Sequence, residues 1–164
     1  MSPLADLERL LGEQAHLYEQ LLAALQHERA LLAQASPEAL NEQTRHKATL
    51  LARLQQADQA RDGAAAQAAV ELGVDIRGVT LSSLAQAVGE PLAEDLRTLQ
   101  AQLTALIGQV AEANRANEAL LAHSLQSVRD ALAFFYAVAN PQATYQPGPM
   151  PAAQPTGRLV SGTL

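Results

Sequence analysis

The residues of this chain best suited to metal binding or phosphate transfer are four histidines, at positions 16, 27, 46 and 123, with no cysteine to join them. Glu13 and His16 stand three apart, a spacing that puts a carboxylate and an imidazole on one helix face, as in half of a di-iron site. Such a centre needs a second pair and two further carboxylates, and only this one pair is present. His46 on a helix suggests a histidine phosphotransfer domain. Those domains follow the histidine with a lysine and then a glycine that keeps the ring open, whereas "RHKATLLARL" follows it with bulky residues. No nucleophile with its base, glycine-rich phosphate loop or paired carboxylates can be assembled. The chain therefore reads as a non-enzyme without metal or cofactor, its histidines lying on helix surfaces or flanks. What remains is a pair of amides. Within "VAEANRANEALLAHSLQSV", residues 110–128, Asn114 and Asn117 stand where an apolar seam would carry Leu or Val.

The elements that must position this pair are helices. Ala and Leu supply 34 and 28 of the 164 residues, aromatics only 3%, and β-branched residues are scarce, so strong helix formers dominate. Ser2-Pro3 opens a first helix, expected over 3–35, on which Leu4, Leu7, Leu11, Tyr18, Leu21, Leu25 and Leu32 recur at helical spacing. In "ASPEAL" it ends and a second begins, with Ser36 as N-cap, Pro37 at the first position and Glu38 at the positive end of the dipole. That helix carries Leu40, Lys47, Leu50, Leu51, Leu54, Ala57, Ala65, Ala68 and Leu72 to a stop at Gly73. "GVDIRGV" reads as a loop, followed by a short helix from Thr80 to about Val88. Glu90-Pro91 then opens the longest helix, running to about Ala139 and roughly 70 Å long. A rod of that length must lie against other long helices to bury its stripe. The expected fold is all-α: an antiparallel bundle or coiled coil of three long helices and one short one over residues 1–139, with a Pro-rich tail over 140–164.

The seam of the longest helix runs Leu96, Leu99, Leu103, Leu106, Val110, Asn114, Asn117, Leu121, Leu125, Val128, Leu132, Phe135. Steps of three and four alternate except beside the Asn pair and after Leu121, where two fours stand together and the supercoil relaxes. A buried Asn on a seam can simply fix register or partner number. Two of them beside a stutter also suit a seam held partly open, because an amide sealed in a core without a partner costs about 1–3 kcal/mol. Farther on, Phe134, Phe135 and Tyr136 share one turn. They either form an exposed stripe for a partner helix or pack near Leu4 and Leu7.

Charge and hydropathy narrow the function. A net charge of −6 argues against a nucleic-acid surface, and no apolar run approaches the ~20 residues that span a bilayer. The N-terminus lacks the basic region of a secretory signal, so the expected place is the cytoplasm. From Asn140 onward there are five of the eight prolines and no acidic residue, the composition of a flexible tail carrying short motifs.

The chain resembles the flagella synthesis protein FlgN family, export chaperones of hook-associated proteins. The likeness lies in "LLAALQHERALL" with Glu28-Arg29, "KATLLARL" with Lys47, "NRANEALLAHSLQSVRDAL" with its Asn-x-x-Asn and Leu pair, and "ATYQPGPM…TGRLVSG" in the tail. The residue after Tyr145 is Gln146 where the family often has Gly. The resemblance implies a cytoplasmic chaperone that binds the C-terminal helices of the hook–filament junction proteins FlgK and FlgL and delivers them to the type III export gate. It implies cargo binding on the C-terminal half of the long helix, at Asn114, Asn117, Leu121, Leu125, Val128, Leu132 and Phe135. It further implies docking of Tyr145 on the gate protein FlhA. The residues fit that reading: a shallow Leu/Ala groove with amides can hold an apolar assembly helix and release it, Asn114 and Asn117 keeping the seam from closing on itself. Other readings are a structural coiled-coil adaptor without cargo, and the phosphotransfer domain. A homodimer is compatible with the same open seam.

Overall fold

The computed structural model describes residues 2–34 and 36–139. The described residues form four helices: α1 (Pro3–Gln34), α2 (Pro37–Leu72), α3 (Leu81–Ala87) and α4 (Leu92–Ala139). Three long helices and one short one make a helical bundle, as the apolar spacing predicts. Residues 140–164, the expected tail with Tyr145, lie outside the described residues. The described chain falls into two compact units, residues 1–125 and a second that begins at Gln126.

Helix ends follow local chemistry. Ser36 sits at the start of α2 in extended backbone, φ −99° and ψ 99°, with Pro37 behind it, but its hydroxyl makes no cap bond. The proline supplies the start by fixing φ where no N–H is needed. At the other end Gly73 adopts φ +68°, the left-handed conformation that glycine takes without a Cβ penalty. Its N–H reaches Val70 O at 3.2 Å and that of Val74 reaches Ala69 O at 2.9 Å, a Schellman closure. Thr80 caps α3 reciprocally with Ser83: each side chain accepts the other residue's backbone N–H, at 3.1 and 2.9 Å. Ahead of α4, Glu90 accepts the Glu94 N–H at 3.1 Å, a carboxylate at the positive end of the helix.

In the first unit α1 and α2 run antiparallel. Gln14 meets Asp58 and Glu28 meets Lys47, so the numbers fall on one helix as they rise on the other. α4 runs parallel to α1: Leu7 and Leu11 share a core with Leu96 and Leu103, and Leu25 meets Asn117. Two apolar clusters fill the bundle. One joins Leu7, Leu11 and Ala15 to Ala64, Ala68 and Ala69 of α2, Leu84 and Ala85 of α3, and Leu96 and Leu103 of α4. The run of alanines lets α2 approach closely at little entropic cost. The other joins Leu17, Leu21, Ala24 and Leu25 to Leu50 and Leu54, with Val110 and Ala113 of α4 against them. Tyr18 packs on both.

A polar layer lies between the clusters. Gln14, 1% exposed, donates to Asp58 Oδ1, and Arg61 reaches both Gln14 Oε1, at 3.4 Å, and Asp58, at 3.3 Å. Burial pushes the Tyr18 phenol above its ordinary value of 10; the charge of Asp58 adds to the rise and that of Arg61 opposes it. Among the described residues no buried side-chain nitrogen or oxygen lacks a partner. That is the condition under which buried polar groups specify a fold instead of weakening it.

Candidate functional site

The seam of α4 behaves in two ways. Leu96 is fully buried and Leu103 6% exposed, and Leu99, Leu106 and Val110 are half-buried against the core. Asn117 is buried, 5% exposed, and Asn114 half-buried. From Leu121 to Ala139 every residue is exposed.

The two amides, alike in sequence, do different work. Asn117 Nδ2 donates to the Leu25 carbonyl at 2.8 Å and to Glu28 Oε2 at 2.9 Å. The other oxygen of Glu28 takes Lys47 Nζ at 2.6 Å, and both side chains of that ion pair are largely shielded. One chain of contacts thus ties α4 to α1 and α1 to α2, fixing the register of all three long helices. Asn114 Nδ2 instead donates to Glu118 Oε1 at 2.8 Å, within its own helix and toward solvent. At Asn117 the seam is closed; at Asn114 it borders open surface.

The remaining candidates lie on exposed helix. In the first unit Leu121 and Leu125 are about half exposed. In the second, so are Val128 and Leu132, and Phe134, Phe135 and Tyr136 more so. Phe134 and Phe135 meet edge to face, centroids 6.1 Å apart. Leu4 and Leu7, the alternative partners considered for these aromatics, belong to the cluster shared by all four helices. In the second unit five large apolar side chains, Val128, Leu132, Phe134, Phe135 and Tyr136, stand exposed along nine residues of helix, a density typical of surfaces that meet another protein.

Sequence reasoning overlooked one feature. Leu51, named in the sequence beside Leu50 among the residues of α2, is 54% exposed, and Ile107 of α4 is 47% exposed. Both border an apolar groove of about 350 Å³ whose floor is Tyr18, Leu21 and Leu25 of α1. The signal was there: α4 has no charged residue from Thr98 to Ala111, unusual for a helix with a solvated face.

His27 and His46 border one open depression with Gln20 and Gln43. His16 is exposed and engages Gln20 and Glu19 of its own helix, and His27, His46 and His123 are exposed as well. Among the described residues no group of three His, Asp or Glu could hold a metal, and no helix is long and apolar enough to cross a membrane.

A family profile described as FlgN protein matches residues 1–150. The chain belongs to the FlgN family. The match covers all four helices and extends to residue 150. No curated protein and no solved structure matches the chain significantly. Membership implies, in general terms, the role of a flagellar export chaperone, a family not known for enzymes.

Proposed function

We propose that this FlgN-family protein holds the C-terminal helices of the hook–filament junction proteins FlgK and FlgL in the cytoplasm, prevents their premature assembly and delivers them to the export gate. The cargo contacts are assigned to α4, at Leu121, Leu125, Val128, Leu132 and Phe135, with Asn114 and Asn117 at the head of that run. Residues 1–139 form the chaperone domain, and residues 140–164 a tail whose Tyr145 docks on the cytoplasmic domain of the gate protein FlhA.

One observation carries the reading: α4 is packed as far as Asn117 and then bare from Leu121 to Ala139, although apolar residues go on recurring every three or four positions. A solvated apolar stripe of this length invites an amphipathic partner, and export cargo is a chain whose assembly helices are apolar and unsatisfied before assembly. Asn117 anchors the packed part, so the bare part does not depend on cargo to stay helical at its root.

Calorimetric titration with the C-terminal peptides of FlgK and FlgL tests this. Binding at 1:1, micromolar or tighter (about −8 kcal/mol or better), is expected, and Leu121→Asp, Leu125→Asp and Leu132→Asp together should abolish it. Tyr145→Ala should leave peptide binding intact while removing retention on immobilised FlhA cytoplasmic domain. If neither peptide binds and the protein sediments as a dimer at every concentration, the exposed stripe serves constitutive self-association, as a structural adaptor requires.

A further inference from the structure

The apolar groove of the first unit shares only Asn114 with the contacts assigned to cargo, and its chemistry is specific. Leu51 and Ile107, on two different helices, edge a floor made by Tyr18, Leu21 and Leu25. Half-exposed aliphatics over an apolar floor leave the outline of a bundle with one helix position vacant. Among the described residues that line the groove, Lys47 is the one with a charge, and Glu28 already neutralises it at 2.6 Å. The α4 wall, Thr98 to Ala111, has no charge to offer.

The groove also has length and direction. A smaller depression of about 160 Å³, bordered by Gln14, Arg61 and Thr104, shares Ile107 with it. In the opposite direction α4 continues past Asn114 to the exposed Leu121 and Leu125, still within the first unit. From Ile107 to Leu125 the spacing stays at three and four residues along one face, roughly 27 Å of helix.

We propose that this groove seats part of the cargo helix as an added fourth helix of the bundle, α1, α2 and α4 staying in place. The proposal rests on the chaperone reading above and extends its site toward the N-terminus of α4. The occupant is an amphipathic helix, about 15 residues of which present an uncharged stripe of aliphatic side chains to Tyr18, Leu51 and Ile107. Charge selects it: a carboxylate or ammonium over Tyr18 and Leu21 would lose its water and find no free counter-charge. Continuity supports the same occupant, because a helix lying on Leu121 and Leu125 and following α4 is led into the groove. Cargo then adds to the fold, and the Asn117–Glu28–Lys47 contacts survive binding.

The chain has no cysteine, so Leu51→Cys gives a single attachment point for a polarity-sensitive fluorophore at an exposed position. The full chain so labelled is titrated with the FlgK and FlgL C-terminal peptides, and unlabelled Leu51→Glu and Ile107→Glu variants are titrated by calorimetry. A saturable blue shift is expected, following the calorimetric curve, together with affinity weakened at least about tenfold in each variant at unchanged melting temperature. If wild-type protein binds the peptides while the label is silent and both variants bind equally well, the groove is not used, and the chaperone reading stands without it. If no peptide binds wild-type protein, the chaperone reading fails and this proposal falls with it. A label shielded before any peptide is added overturns the proposal too: shielding lost on dilution makes a second copy the occupant, and shielding that persists makes it residues 140–164.

Discussion

Leu96 and Leu132 occupy equivalent seam positions on one helix, and their surroundings could hardly differ more. Leu96 is fully buried among side chains of α1, α2 and α3, and Leu132 is 52% exposed. Nothing local separates the two regions, since both are Ala/Leu-rich helix with the same three-and-four spacing. What separates them is supply. The packed region has Leu7, Leu11, Leu17, Leu21 and Leu25 of α1 to meet it, and α1 ends at Gln34, little more than two turns past the Leu25–Asn117 contact. An apolar stripe states what a helix could bury, and a partner decides whether it does.

The sharpest way to break this comparison is to truncate both leucines and unfold each variant in urea. Leu96→Ala should cost about 3–5 kcal/mol, the transfer and cavity cost of a buried leucine. Leu132→Ala should stay within about 0.5 kcal/mol. A large loss at Leu132 would mean that the free protein already covers its stripe.

The amides offer a finer version of the same contrast. Asn117→Leu removes two hydrogen bonds, one of them to the shielded Glu28 carboxylate, at a cost of about 1–3 kcal/mol. Asn114→Leu gives up only an exposed bond within its own helix, so its stability should be unchanged to within about 0.5 kcal/mol. Equal effects at the two positions would contradict the division of labour between them.

The smallest expected effect concerns pH. The folded state holds the Tyr18 proton to higher pH than the unfolded chain does, so above about pH 10 the native state binds more protons. Its contribution, present in full below the unfolded value, is lost as pH rises through the raised one. Tyr18→Phe should therefore flatten the decline in stability above pH 10, measured as urea midpoints against pH, and change nothing near pH 7.

Much of this was legible in the sequence. Gly73, Ser36-Pro37 and Thr80 fall at the boundaries where they stand, because caps are local chemistry with short reach. The leucine spacing marked an apolar stripe on α1 and on α4 and required the longest helix to lie against other long helices. Less legible was the difference between Asn114 and Asn117: the choice between fixing register and leaving the seam open depends on which backbone lies opposite, and only folding brings Leu25 and Glu28 there. Leu50 and Leu51 are equally apolar neighbours. A helix turns about 100° between them, so one enters the core and the other borders the groove.

The sequence alone determined that the chain is helical, where its helices begin and end, and which face of each is apolar, because propensity, capping and periodicity act over a few residues. Only the tertiary structure decided which stretch of α4 is covered, which amide is locked and where a helix-sized groove stays open. Those outcomes depend on the register and length of α1 and α2, and no local pattern in α4 carries that information.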